Sequence, residues 1–578
     1  MKKQTLTLRL STFGFLVSCL FHCSSALGQY RSEVWSPDNG DGTYTNPVIN
    51  ADYSDPDVCV GASGKDYYLT ASSFQCIPGL PILHSRDLVN WTIIGYALQR
   101  LEPAEVFDKP AHGKGVWAPS IRYHNGWYYI YWGDPDYGVF MVRTQNPAGR
   151  WEDPVCVIAG KGMIDTTPLW DDDGRCYLVN GWAGSRAEFK SVLSVRELSA
   201  DGTRAISQPV IVFDGNNEHH TAEGPKFYKR DGWYWILCPA GGVKDGWQLA
   251  MRSRNVYGPY EAKVVMAQGS TTVNGPHQGG WVHTAQGEDW FLHFQDKYEY
   301  GRVVHLQPVT WRDGWPVIGR VPKKGYCGEP VLTWTKPKTS SQFSTLNSQS
   351  SVSNPVESDE FNEPCLGLQW QWHANYQQQF GQPTPYGFFR MYCHKLSEQF
   401  VSLWEAPNLL LQKTPADAFT ATAHVTMSAK KDGDCGGIIM MGRDYSALVV
   451  CRTGDGFELQ QRTCYGADKG KKEVVTTLAT LKATSRDKVD YDPAIYEDIC
   501  LRLTVTPGGG PGSGDPAKVN FAYSLDGKKF TAVGEQFRMR EGQWIGAKFG
   551  FVAVQPAGKG VRGWLDIDWM RVSEVKTK

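Results

Sequence analysis

Glu223-Gly224-Pro225 is followed, nine residues after Glu223, by Gly232-Trp233-Tyr234-Trp235-Ile236, and the same pairing recurs along the chain. Asp55 stands nine residues before Gly64-Lys65-Asp66-Tyr67-Tyr68-Leu69, and Asp165 nine before Gly174-Arg175-Cys176-Tyr177-Leu178. Two further copies, Gly126-Trp127-Tyr128-Tyr129-Ile130 and Gly287-Glu288-Asp289-Trp290-Phe291-Leu292, put Trp117 and Gln278 at that offset. A turn glycine ahead of a short aromatic run reads as a hairpin into a strand. The unit occurs five times at a spacing of roughly 50–60 residues, the size of a four-stranded propeller blade. A second echo follows three of the aromatic strands: His84-Ser85-Arg86-Asp87-Leu88-Val89-Asn90-Trp91, then Arg143 to Trp151, then Arg252 to Tyr260. Each has a small polar residue, an Asp or Asn in a turn, and an aromatic. The fold class is all-β, opening with a five-bladed β-propeller.

Radial blades bring their first strands to one axis, so Asp55, Trp117, Asp165, Glu223 and Gln278 are expected to converge. A lone carboxylate at a strand end is ordinarily bonded to backbone. Three at one repeat offset are not explained that way, because burying like charges together is costly. An acid and a base on opposite sides of a glycosidic bond suffice for its hydrolysis, and a third carboxylate can raise the acid's pKa. Trp117 adds a flat apolar face that suits the C–H side of a sugar ring.

The totals exclude other classes. Lys+Arg 59 against Asp+Glu 60 leave no overall field for nucleic acid or an anionic membrane. With 578 residues the chain exceeds a single core. Its start is basic (Lys2, Lys3, Arg9), then apolar from Leu10 to about Phe21, too short to remain as a transmembrane segment. Ala26-Leu27-Gly28 is a small-x-small cleavage site, which makes 1–28 a signal peptide and the product secreted or periplasmic. Leu16-Val17-Ser18-Cys19 offers the alternative of a lipid anchor through Cys19. The other cysteines are scattered without a CxxC pair, which argues against zinc, and those in apolar runs such as Cys176 and Cys238 read as buried thiols.

The propeller is assigned 29–335. A Lys-Pro-Lys-Thr-Ser-Ser stretch and a Ser/Asn/Gln-rich run make 336–355 a linker. From 356 to 578, alternating runs such as Phe419 to Val425 and Val519 to Ser524 indicate a β-sandwich.

Asn46-Pro47-Val48 leading to Ser54-Asp55-Pro56-Asp57, Val116-Trp117-Ala118-Pro119-Ser120, Ile164-Asp165, Asp171-Asp172-Asp173-Gly174 and Glu223-Gly224-Pro225 together resemble glycoside hydrolase family 43. The resemblance spans Tyr44 to Trp334. It implies an inverting mechanism with Asp55 as general base, Asp165 as pKa modulator and Glu223 as general acid. Ser72-Ser73-Phe74 and Pro78-Gly79-Leu80-Pro81-Ile82 resemble the family's pentose-specific branch, with Phe74 walling the sugar pocket, Trp117 as stacking platform and Arg302 reaching sugar hydroxyls. The segment from Asp359-Glu360-Phe361 to Asp568-Trp569 resembles the concanavalin A-like domain that accompanies β-xylosidases of this family.

The implied function is exo-acting release of a terminal pentose from plant hemicellulose or pectin side chains. α-L-Arabinofuranosidase stands slightly ahead, because side-chain trimming is the common role of exported forms. β-D-Xylosidase on xylo-oligosaccharides, a retaining mechanism and a non-catalytic carbohydrate-binding protein are the alternatives. The expected partner is an oligosaccharide or polysaccharide, not nucleic acid, and the chemistry requires no cofactor. A structural calcium is admitted, with His277 near the channel axis and Asp568 as candidate ligands, although calcium prefers oxygen donors.

Overall fold

The computed structural model describes residues 32–338, 355–454, 456–482, 494–510, 512–558 and 560–575. The expected leader with Cys19, and most of the expected linker, lie outside them.

Five four-stranded antiparallel sheets follow one another in chain order. Blade 1 runs from the inner strand Asp57–Val60 through Tyr67–Thr70 and Gly79–Ser85 to Thr92–Leu98. Blade 2 runs from Trp117–His124 out to Val155–Ala159, blade 3 from Met163–Trp170 to Val210–Asp214. Blade 4 runs from Lys226–Arg230 to Glu261–Ala267, and blade 5 from His277–His283 to Trp315–Ile318. The second echo in the sequence forms the turn between third and fourth strands; Ser85 Oγ, for example, accepts from the backbone N–H groups of Asp87 and Leu88.

The aromatic runs are the second strands, and their lack of a polar face has a physical cause. A strand inside a propeller presents one face to the blade before it and the other to the blade after. In Trp127–Asp134, Tyr128, Ile130 and Trp132 pack on Ile77, Leu80 and Ile82 of blade 1, whereas Tyr129 and Tyr131 pack on Cys176 and Leu178 of blade 3. Matching clusters join blades 3 to 4, 4 to 5 and 5 to 1, which closes the ring.

Each blade is continuous in sequence, so closure depends on contacts outside the blades. Thr43–Thr45 pairs antiparallel with Thr333–Thr335. Beside this clasp the buried Asn46 amide donates to the carbonyls of Leu306 (2.9 Å) and Val331 (2.8 Å), and its oxygen accepts from the Leu306 N–H (2.8 Å).

The second domain packs an eight-stranded sheet on a seven-stranded one. Ala421, Ala423, Val425 and Met427 alternate inward from the strand Phe419–Ala429 to meet Ile438, Met440, Phe549 and Phe551 of the opposite sheet. Cys435 and Cys451, directly opposed on neighbouring strands, form a disulfide that the sequence left unpaired. The domains are joined by polar contacts: Tyr96 hydroxyl to Leu368 O (2.7 Å), Asn375 Nδ2 to Leu101 O (2.9 Å) and Gln371 Nε2 to Pro78 O (2.7 Å). Among the described residues no helix is long and apolar enough to cross a membrane.

The Asn46 clasp generates a test. Asn46→Ala takes the acceptor from the buried Leu306 N–H and one donor each from the Leu306 and Val331 carbonyls, which keep Tyr44 and Gln307, and this costs about 2–3 kcal/mol. At about 2–4 °C per kcal/mol for domains of this size, the propeller's calorimetric transition should fall by about 5–10 °C. An unchanged transition would show that the clasp does not close the ring.

Candidate active site

Each inner strand carries one residue forced into the left-handed region: Asp55 (φ 56°), Ala118 (35°), Asp165 (59°), Gly224 (63°) and Gln278 (38°). The pairing register slips at this point in blades 2, 3 and 5. In blades 1, 3 and 5 the kink falls on the polar residue itself, Asp55, Asp165 or Gln278, and in blades 2 and 4 on Ala118 and Gly224. These positions correct the uniform offset expected from the sequence. The interval to the turn glycine is nine residues in blades 1, 3 and 5 but eight in blades 2 and 4, so Trp117 and Glu223 precede the kink by one.

Asp55 is buried and acts only as an acceptor. Its Oδ2 takes hydrogen bonds from Ser54 Oγ (2.7 Å) and Ser72 Oγ (2.5 Å), and its Oδ1 faces Arg302 Nη1 at 3.3 Å. Arg302 Nη1 also donates to Ser54 Oγ (2.8 Å). The guanidinium lies over the Phe294 ring, and nearby Asp55, Asp296 and Asp52 push its pKa up against the opposing effect of burial.

Asp165 and Glu223 stand together. Gly224 N–H donates to Asp165 Oδ2 (2.7 Å), and a Cβ on Gly181 would stand 3.6 Å from that oxygen and 3.8 Å from Glu223 Cα. Burial, then the charges of Glu223 and Asp55, pushes Asp165 up to about 8. Burial pushes Glu223 up to about 7; Arg302 and Lys190 act against the shift and Asp55 adds to it. The two therefore titrate as a pair that keeps a proton near neutral pH. The Glu223 carboxyl accepts no hydrogen bond among the described residues, and its side chain is 32% exposed. It is the member of the pair open to an incoming group.

The pocket wall is aromatic. Phe74 (φ 51°) meets Trp117 edge-on at 6.3 Å between centroids, and Trp117 Nε1 is fixed by Gly113 O at 2.9 Å. Trp544, which the sequence did not single out, comes from the second domain. It meets Trp117 edge-on at 6.1 Å, and Gln543 and Trp544 lie so close to Gly113 that a Cβ there would stand 2.4 Å from Gln543 Cγ. The only sequence signal was an aromatic between Gly542 and Gly546. On the other side of Trp117, Arg186 lies over the ring and pairs with Asp136 at 2.9 Å.

Gln278 is buried against Gly224, with Nε2 unpartnered among the described residues. His277 is fully buried, and burial pushes its pKa down to about 3, so it is a neutral imidazole. Neither ring nitrogen has a hydrogen-bond partner among the described residues, and the nearest carboxylate oxygen, Glu223 Oε1, is 3.8 Å away. Asp568 instead pairs with His424 Nδ1 at 2.8 Å. Calcium takes 6–8 oxygen ligands, and among the described residues no group of three or more His, Cys, Asp or Glu could hold an ion. The residues at His277 and Asp568 do not fit the candidate calcium.

Comparison with known proteins agrees with this geometry. The family model described as Glycosyl hydrolases family 43 matches residues 44–316, and that of the Beta xylosidase C-terminal Concanavalin A-like domain matches 358–573. A relative from Xylanibacter ruminicola that carries a β-xylosidase name is 34% identical over 516 residues, covering 89% of this chain and 86% of its own. The non-reducing end α-L-arabinofuranosidase BoGH43B of Bacteroides ovatus is 30% identical over 466 residues, covering 76% and 81%. The solved structure of a xylan β-1,4-xylosidase from Bacillus halodurans shares the fold at a TM-score of 0.74 and 21% identity, covering 92% of this chain and 100% of that one.

The paired carboxyls predict an unusual stability profile. Asp165 binds its proton more tightly folded than unfolded, so stability falls as pH rises from about 4 toward 8. Asp165→Asn removes that loss. Its melting temperature should exceed the wild type's by several degrees at pH 8 and converge with it near pH 4; a pH-independent difference would refute the assignment.

Proposed function

The chain belongs to family 43 of the glycosyl hydrolases, and from that premise we propose an exo-acting, inverting enzyme that releases a terminal pentose, α-L-arabinofuranose or β-D-xylose, from plant hemicellulose or pectin side chains. The observation that carries this reading is the division of hydrogen bonding between two carboxyls on one axis. Asp55 accepts from Ser54, Ser72 and Arg302 and donates no hydrogen bond among the described residues. Glu223 accepts no hydrogen bond among the described residues and has its pKa raised to about 7, so it has a proton to give.

In the reaction, Asp55 takes a proton from water as the water oxygen attacks the anomeric carbon. Glu223 passes its proton to the departing glycosidic oxygen, and the carbon–oxygen bond breaks with inversion. Asp165 shares the pair's proton with Glu223 and orients that acid through the Gly224 backbone, whose N–H it accepts. Both catalytic groups then return to their starting protonation through solvent. Arg302, beside Asp55, donates to sugar hydroxyls, and Phe74, Trp117 and Trp544 enclose the ring. A pocket walled by both domains suits a chain end rather than a chain interior. No step calls on a cofactor.

The relatives' names divide between the two sugars, so β-D-xylosidase on xylo-oligosaccharides is the second reading. Export, secreted or periplasmic, follows from the basic-then-apolar start and is supported by the Cys435–Cys451 disulfide, which requires an oxidising compartment to persist; anchoring through Cys19 is the alternative.

Initial rates on nitrophenyl α-L-arabinofuranoside and β-D-xylopyranoside name the sugar, and Asp55→Ala should abolish both. Glu223→Gln should lower turnover of a natural oligosaccharide about 10²–10⁴-fold while binding survives. Unchanged turnover would sink the acid assignment, and binding without wild-type turnover would indicate a binding protein. The first product seen by NMR should have the opposite anomeric configuration to the substrate. Trp544→Ala removes an aromatic contact worth about 1 kcal/mol, so KM should rise about fivefold with kcat little changed; an unaltered KM would remove Trp544 from the pocket.

A further inference from the structure

Asp55, Asp165 and Glu223 stand at or just before the start of their blades' inner strands, so the connections between second and third strands rise on the same face of the propeller. These connections are 71–78, 135–137, 183–191, 241–246 and 297–301, and the two longest belong to blades 1 and 3. That of blade 1 carries Phe74 and also Ser72, whose hydroxyl donates to Asp55. It stands on the side of the base. The connection of blade 3, 183–191, carries no catalytic group.

Its attachments place it over the acid. At its root is Gly181, where a Cβ would stand 3.6 Å from Asp165 Oδ2 and 3.8 Å from Glu223 Cα. One flank is tied to blade 2: Arg186 Nε donates to Asp136 Oδ1 (2.9 Å), and the guanidinium lies 5.9 Å from the centre of the Trp117 ring. The far end is tied to the segment that leads into Glu223, because Ser191 Oγ accepts from Thr221 N–H (2.7 Å) and Ser191 O from Gly215 N–H (2.8 Å). The connection thus reaches from Trp117 to the chain entering Glu223. It is firmly seated: Ala183 N–H donates to Gly162 O (2.8 Å), the short helix Gly184–Ala187 follows, and a Cβ on Gly162 would stand 2.7 Å from Ala187 Cβ.

An inverting displacement expels the leaving group on the side opposite the attacking water. With Asp55 and Phe74 on blade 1, the departing oxygen faces Glu223, and whatever it carries meets 183–191. Two side chains there are incompletely engaged. Arg186 uses three of its five N–H groups, on Asp136 and Ser185, and its side chain is 24% exposed. Phe189 packs on Trp182 at 5.0 Å between centroids and remains 46% exposed. A fixed guanidinium and an aromatic face on one connection suit the two sides of a sugar, hydroxyls to the first and C–H groups to the second.

We propose that 183–191 forms the subsite for the leaving group, and that Arg186 is its specificity-determining residue, donating to hydroxyls of the sugar unit to which the terminal pentose is attached. Phe189 supplies the apolar platform for that unit. The inference rests on the hydrolase reading above and narrows its substrate class to a pentose borne on another sugar.

Arg186→Met removes the donors but keeps an apolar stem over Trp117, and Asp136 retains Lys114 at 3.4 Å. Wild type and variant are compared in kcat/KM on pentosyl disaccharides and on the fluoride of the same pentose and anomeric configuration, which has no leaving sugar. The ratio of disaccharide to fluoride should fall about tenfold. An unchanged ratio, equal losses on both substrates included, shows that Arg186 acts only through Trp117 and overturns the subsite. If Arg186→Met does not fold, Phe189→Ala at its exposed position should lower the same ratio about fivefold, and an unchanged ratio there overturns the subsite equally. A wild type that cleaves the fluoride and none of the disaccharides overturns this inference alone. A wild type inactive on all of them overturns the hydrolase reading as well.

Discussion

Four carboxylates, Asp55, Asp57, Asp165 and Glu223, crowd the axis of one propeller, and the structure depends on how that like charge is balanced. Three cations do it from three blades: Arg302 beside Asp55, Arg122 on Asp57, and the buried Lys226, whose Nζ donates to Pro119 O. None is a surface pair, since all three cations lie in protein interior where an unmatched charge is expensive. The balance is incomplete at one place, the Asp165–Glu223 pair, and there the surplus is relieved by keeping a proton. The raised pKa of the pair is thus a consequence of where the counter-charges stop.

The same constraint explains the kinks. A regular inner strand would direct alternate side chains into the neighbouring blades, where Tyr, Trp and Ile already fill both interfaces. A single left-handed residue per strand breaks the alternation and turns polar groups to the axis. Left-handed backbone is costly for Asp55 and Asp165, and such strain is characteristic of functional positions. Blades 2 and 4 place Ala118 and Gly224 at the kink itself and offer Trp117 and Glu223 from the preceding position. Trp117 consequently stands at the wall, and Glu223 has no hydrogen bond from the neighbouring blades.

Much of this was legible in the sequence because a propeller repeats. The aromatic strands, the five-fold count and the three carboxylates followed from a glycine with a fixed environment, since the hairpin after each inner strand has nearly constant length. The one-residue difference in blades 2 and 4 was not legible, because the turn glycine locates the hairpin but not the kink. Lys226 was quoted in no motif, since a lysine after Gly-Pro reads as surface until the axis closes around it. Trp544 was beyond reach for another reason: it stands far along the chain from Trp117, and nothing local marks a loop that another domain will receive.

That loop ties the second domain to the surroundings of Asp55 through backbone. Gly546 N–H donates to Asp52 Oδ2 (3.0 Å), and Asp52 Oδ1 accepts from the Arg302 N–H (2.9 Å). Arg302 holds both Ser54 Oγ and Asp55 Oδ1. Close packing seals the relay, for a Cβ on Gly301 would stand 2.5 Å from Asp52 Cγ and one on Gly546 2.6 Å from the Tyr300 carbonyl carbon. The sandwich therefore reaches the site twice from one short segment: Trp544 packs edge-on against Trp117, and Gly546 donates to the aspartate that also accepts from the Arg302 N–H. A domain attached only for binding would need the first contact and not the second. The second makes the surroundings of Asp55 depend on docking of the two domains, so the propeller's own fold does not complete the site.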